Sequence, residues 1–231
     1  MTSLNRYKDH AIVLRTSQLR ESDLIVTLLG ITHGKISAVA RGVRRSRRRF
    51  MGGVDVFDCG IFEIEKPKKE AQLYTLSLIQ QQEAWNGLRN NLRTFSLASL
   101  VLEVANTFAA EGDPDSRFLF APLYQCLKRL NEIKSEDEHS LTVIVYLLHV
   151  LERSGFGPLE NRQDITVRMR SWWDSLLNQP LATLPHDFPH DRKLVDDSFT
   201  LLISLIEQIV GKPLNTLSTQ LGQDRNVRLC Q

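Results

Sequence analysis

"HGKISAVARGVRRSRRRF", residues 33–50, opens as a β-strand and ends in a burst of arginine. Successive strand side chains point to opposite faces. Ile36, Ala38 and Ala40 therefore share one face, and Lys35, Ser37, Val39 and Arg41 share the other. The first set is small and apolar, which suits the inside of a narrow barrel. The second would hold Lys35 and Arg41 about 20 Å apart along one outward row, at roughly 3.3 Å per residue. Beyond it, six of the nine residues from Arg41 to Arg49 are arginine, and no acid lies between Asp23 and Asp55. Guanidinium groups bond phosphate oxygens in pairs and stack on bases. The pattern predicts a nucleic-acid surface built from Lys35, Arg41, Arg44, Arg45, Arg47, Arg48 and Arg49. Mutual repulsion predicts a loop that is mobile when free and ordered on a bound anion. Phe50, at its end, has two readings: a platform for a base, or an apolar residue closing the barrel.

Working outward, the neighbouring segments also have a strand period. "HAIVLRT" alternates loosely, "DLIVTLL" is a short apolar run, "VDVFDCGIFEIE" is a fourth run with Gly60 as its expected bulge, and "QLYTLSLI" is a fifth. Five short strands predict a small closed barrel over residues 1–82, with an OB-fold as the first expectation and an SH3-like barrel as the structural rival.

The period changes after residue 83. Leu97, Leu100, Val101, Val104, Ala105 and Phe108 form one helical stripe. Asp113 before Pro114 reads as a cap, and Pro122 starts or kinks the next helix. A second stripe runs through Leu141, Ile144, Val145, Leu148 and Leu151 and stops at "SGFGP". Residues 158–190, with four prolines, read as an irregular insert, and a last helix from about Lys193 to Val210 is closed by "GKP". The fold class is thus α+β: a five-stranded barrel domain, 1–82, followed by a mainly helical domain, 83–231.

Charge divides along the same boundary. Residues 1–82 hold 14 lysines and arginines against 8 acids, a net of +6, whereas residues 83–231 hold 15 against 19, a net of −4. The barrel should attract a polyanion and the helices should not do so as a whole. No stretch reaches the roughly 18–20 apolar residues of a membrane span. "MTSLNRYKDH" lacks the apolar centre of a signal peptide, so a cytoplasmic protein is expected. Three cysteines without a close pair fit a reducing compartment. An enzyme is not expected: the barrel's acids are scattered, and neither a phosphate loop nor a dinucleotide fingerprint occurs.

Taken together, "AIVLRT", "ESDLIVTLLGITHGKISAVARGVRRSRRRF", "FDCGIFEIE", "LLHVLERSGFGPLE" and "GKPLNTLS" resemble, in order, the RecO family of bacterial recombination mediators. The resemblance implies an N-terminal OB-fold, a helical second domain and binding of single- and double-stranded DNA. It also implies annealing of complementary strands, and work with RecR and in some lineages RecF. These together load RecA onto DNA coated with single-stranded DNA-binding protein, whose acidic C-terminal tail is gripped. Such a protein would join the nucleoid during repair. The family's basic barrel segment falls on Lys35, Arg41 and the arginines to Arg49.

Many RecO-like chains insert a four-cysteine zinc module after the position of "GFGP"; here residues 158–190 contain no cysteine. His186 and His190 have a ligand spacing but no nearby partner pair, so no zinc is expected. Trp172 and Trp173, beside Arg168 and Arg170, read as packing that organises this stretch, with base or peptide stacking as the other possibility. The alternative function is an RNA-binding OB-fold accessory protein.

Overall fold

The computed structural model describes residues 5–43, 45–46, 48–50, 53–67, 73–83, 85–133, 135–157, 164–184 and 191–216. Five strands, β1 (Arg6–Arg20), β2 (Asp23–Gly30), β3 (Gly34–Ala40), β4 (Cys59–Glu65) and β5 (Tyr74–Glu83), close into a barrel of order β1-β2-β3-β5-β4. The long β1 pairs antiparallel with β2 through one half and with β4 through the other, and β3 meets β5 in parallel. This closure is the OB-fold arrangement, which decides against the SH3-like alternative.

The barrel core is made by the inward sets the alternation assigns: Ala11, Val26, Leu28, Ile36, Ala38, Ala40, Phe62, Ile64 and Leu76 among others. Alanines on β1 and β3 leave room for Phe50 and Phe62, each worth about 1.5–3 kcal/mol when fully withdrawn from water. The loose alternation of "HAIVLRT" has a structural cause. The β1–β2 register shifts between Val13 and Arg15, so that Val13 and Leu14 are both buried before Arg15 emerges. The bulge at Gly60 is also present.

The fourth run differs from expectation: the strand begins only at Cys59. Val54 to Asp58 instead form a turn, closed by Asp55 N donating to Asp58 Oδ2 at 2.8 Å and Asp58 N donating to Asp55 O at 3.2 Å. Phe57 within it has φ 72 and is fully buried, held by its N–H to Val13 O at 3.2 Å. Alternating apolar residues there serve a buried turn and not a strand.

The chain divides into two compact units. The first comprises residues 1–85 and 108–121, and the second residues 86–107 and 122–231. The segment 108–121 thus returns to the barrel from within the helical sequence. Its 3-10 turn, Pro114–Leu119, is capped by Asp113 Oδ1 accepting from Asp115 N at 2.9 Å, as the sequence suggests. Gly34, with φ 66, lies so close to the Asp113 carbonyl that a Cβ could not be accommodated.

The second unit holds most of α1 (Leu92–Phe108) and α2 (Phe120–Glu132), with α3 (Glu136–Leu151), α4 (Val167–Leu177) and α5 (Arg192–Val210). The stripe Leu141, Ile144, Val145, Leu148 and Leu151 lies on α3 and is buried, and burial reaches beyond it: every residue from Leu141 to Leu148 is buried, because α4 and α5 both pack on α3. Tyr146 keeps its hydroxyl satisfied in that core by donating to Val101 O at 3.1 Å. Residues 158–190, by contrast, are not irregular throughout as expected, since α4 lies among them. Thr166 caps it, its Oγ1 accepting from Met169 N at 3.2 Å, and Met169, Trp173 and Leu176 give the buried stripe. The prolines bracket this helix and leave its interior free.

Candidate nucleic-acid interface

The outward face of β1, β2 and β3 is ordered by its cross-strand register. Arg15 stands opposite Thr27, and Thr27 opposite Ser37; the next row is Ser17, Ile25 and Val39. Adjacent strands lie about 4.8 Å apart, so an exposed Arg15 sits within reach of anything lying across β2 and β3. Arg20, at the tip of the β1–β2 hairpin, and Arg41, just beyond β3, are exposed at one end of this face. From Asp23 to Arg41 the only ring is His33. The surface offers charge, hydroxyls and aliphatic carbon, and no aromatic platform.

Lys35 occupies the other end, in a different setting. Its ammonium donates to Ala109 O at 3.1 Å, and its carbonyl accepts from Gly112 N at 2.9 Å. Its partner in the register, Leu29, is fully buried, and the 3-10 turn of 108–121 packs on β2 and β3. A strap of chain therefore covers this half of the row, while the half from Ser37 to Arg41 stays open.

Beyond Arg41 the described residues form a sequence of hydrogen-bonded turns. Gly42 O accepts from Arg45 N at 3.0 Å and Ser46 N at 2.9 Å, and Ser46 O accepts from Phe50 N at 3.2 Å. Arg45 and Arg48 are exposed. Arg49 is exposed too, yet its guanidinium is engaged: Nε donates to Ser46 Oγ at 3.1 Å, Nη2 to Arg41 O at 3.1 Å, and the group lies 5.3 Å from the centre of the Phe50 ring. Arg49 is a staple of the loop before it is a ligand. Phe50 is 2% exposed and belongs to the barrel core, so it closes the barrel and is no base platform. Arg44 and Arg47 lie outside the described residues.

Arg15, Arg20, Arg41, Arg45 and Arg48 make no ion pair among the described residues. Arg6, by contrast, pairs with Glu63 and Glu65, and buried Asp9 accepts from His33 Nδ1 at 2.9 Å and His33 N at 3.0 Å. The sequence reading does not name Arg15 or Arg20, because register shifts between Val13 and Arg15 and between Gln18 and Arg20 hide the parity of β1.

Residues 1–84 match the family model described as "Recombination protein O N terminal", and residues 89–163 match "Recombination protein O C terminal". The chain belongs to the RecO family. It is 33% identical over 158 residues to DNA repair protein RecO of Desulforudis audaxviator, covering 67% of this chain and 59% of that protein. With DNA repair protein RecO of Syntrophobacter fumaroxidans it shares 29% identity over 201 residues, 85% of this chain and 77% of the relative. With that of Streptomyces coelicolor it shares 30% over 162 residues, 67% and 63% respectively. The match thus spans less than two thirds of some relatives' own length.

The zinc found in many RecO-like chains has no fitting donor set among the described residues, where no three His, Cys, Asp or Glu side chains converge. Cys59 and Cys126 are buried thiols, and burial pushes both up, Cys59 to about 12. His186 and His190 lie outside the described residues. Trp173 is buried and donates through Nε1 to Ser198 Oγ at 3.0 Å, tying α4 to α5. Arg168 is paired with Asp191 at 3.1 Å. Among the described residues no helix is long and apolar enough to cross a membrane.

Proposed function

We propose that this chain is a DNA repair protein that binds single- and double-stranded DNA on the open β1–β2–β3 face and the adjoining arginine loop. It anneals complementary strands there and assists the loading of RecA onto DNA coated with single-stranded DNA-binding protein. The observation that carries this reading is the set of exposed arginines, Arg15, Arg20, Arg41, Arg45 and Arg48, left without carboxylate partners on a barrel of OB type. Such groups hold backbone phosphates and release counterions, and supply affinity without reading sequence. Because no ring occupies the face, bases are not held by stacking and stay available to a second strand, whose repulsion the same arginines screen.

On this reading the protein acts in the cytoplasm, breaks no covalent bond, and uses its net-acidic helical half to meet partners. Those would be RecR, in some lineages RecF, and the acidic tail of single-stranded DNA-binding protein. The names of the relatives support the repair role. The test compares annealing of complementary oligonucleotides by wild type and by a variant with Arg15, Arg41, Arg45 and Arg48 changed to Ala. Annealing should be lost at physiological salt, and the log–log salt slope for single strands should become shallower by about 3, at roughly 0.7 per phosphate contact. An unchanged rate and slope would remove the face from the mechanism. Equal or tighter binding of an RNA oligonucleotide would favour the RNA-binding alternative.

A further inference from the structure

Asp23 stands at the foot of the tight turn joining β1 to β2. Its Oδ1 accepts a hydrogen bond from Gly42 N at 2.8 Å, and beside it Ser22 O accepts from Val43 N at 2.9 Å. These two bonds fix the first residues after β3 onto the hairpin tip. Gly42 adopts φ 65, which only glycine takes without strain, and its carbonyl receives the N–H groups of both Arg45 and Ser46. Ser46 in turn holds Arg49 and Phe50, and the Arg49 carbonyl accepts from Ile79 N on β5 at 3.2 Å. The arginine loop is therefore built from its attachment at Gly42 outward.

A carboxylate is an unfavourable choice beside a surface meant for phosphate, because it repels the ligand. Asp23 is the last acid before Asp55, and its placement is explained by the bond it accepts and not by its charge. We propose that Asp23 is a positioning residue for nucleic-acid binding, holding the arginine loop in register with the β1–β2 hairpin so that Arg20, Arg41, Arg45 and Arg48 address one polynucleotide backbone together. The proposal rests on the DNA-binding reading above. Without the clasp the loop keeps its charge but must be ordered again at each encounter, which weakens binding.

The sign of the effect separates positioning from electrostatics. Anisotropy of a fluorescein-labelled oligothymidine would be measured with the full chain and its Asp23→Asn, Asp23→Ala and Asp23→Glu variants. Charge alone requires Asn and Ala to tighten binding equally and Glu to leave it unchanged. Positioning requires Asn, whose side-chain oxygen still accepts from Gly42, to bind as tightly as wild type or more so. Ala should bind about three- to tenfold more weakly, with a shallower salt slope. Glu, which displaces the acceptor by one methylene, should weaken binding despite its conserved charge, and it carries the test if the Ala variant does not fold. Ala matching Asn, or Glu matching wild type, overturns the clasp alone. A wild type that ignores the oligonucleotide at low salt overturns the DNA-binding reading as well.

Discussion

Arg168 in the helical unit and Arg45 in the barrel unit are both exposed arginines, and their surroundings differ. Arg168 faces Asp191, which also caps α5 by accepting from Lys193 N at 3.0 Å. Arg45 belongs to a run with no acid between Asp23 and Asp55, and makes no ion pair among the described residues. In the helical unit Arg168 is neutralised by its neighbour, and carboxylates such as Asp191 and Glu103 serve as a cap and a latch. Glu103, for example, receives Asn215 N at 2.8 Å, Asn215 Nδ2 at 3.0 Å, Thr216 N at 2.9 Å and Thr216 Oγ1 at 2.7 Å. The arginine loop of the barrel unit leaves Arg45 and Arg48 without carboxylate partners and holds its turns with backbone hydrogen bonds and a buried Phe50. This contrast is the one the proposed function requires, since a surface that is to hold a polyanion must keep some of its cations unpaired.

The largest effect expected on that contrast comes from Phe50, where the two demands meet. Phe50→Ala should lower stability by about 3–5 kcal/mol, as for other large buried aromatics, read as a fall in the denaturant midpoint. Phe50→Leu should cost far less and leave oligonucleotide affinity near wild type. A large loss of affinity in a well-folded Leu variant would restore Phe50 as a base platform.

A middle-sized effect is expected at Glu103. Burial pushes its carboxyl up, but the hydrogen bonds from Thr216 and Asn215 outweigh this and hold it below the usual carboxylate range. A group whose folded value is depressed contributes stability above its unfolded value, and loses it as pH falls through the folded one. Glu103→Ala should therefore reduce stability by about 1–2 kcal/mol at neutral pH. The gap to wild type should close in strong acid, and the salt slope of DNA binding should not move. A gap that persists unchanged into acid would show that the latch does not depend on ionised Glu103.

The residues explain which parts of this were legible. Strict alternation made β3 and its inward set readable, a 3.6-residue stripe made α1 readable, and the "GKP" that follows Val210 marked the end of α5. The stripe on α3 was legible, but the extent of its burial was not, because the run from Leu141 to Leu148 is buried on every side and has no polar face to mark it. Local signals cannot report the return of residues 108–121 to the barrel, which depends on contacts with Lys35 and Gly34 about seventy residues earlier in the chain. The arginine loop announced its chemistry by composition, but composition could not separate Arg49, which braces the loop, from Arg45 and Arg48, which face solvent.

The smallest and most discriminating effect concerns Lys35 against Arg15. Strand alternation names Lys35 as a ligand and does not name Arg15; the proposed binding face includes Arg15 and leaves Lys35 beneath the strap. Lys35 directs its ammonium to the Ala109 carbonyl beneath the strap, whereas Arg15 is exposed on the open rows beside Thr27 and Ser37. Lys35→Met keeps the aliphatic stem and deletes one charge and one hydrogen bond. It should lower stability by about 1 kcal/mol and change oligonucleotide affinity by less than about twofold. Arg15→Met should leave stability within about 0.5 kcal/mol of wild type and make the single-strand salt slope shallower by about 0.7, the value of one phosphate contact. Both variants lose a single positive charge, so long-range attraction falls equally in each. Any difference between their slopes reports direct contact, and a steeper loss at Lys35 than at Arg15 would mean that the strap lifts away when DNA binds.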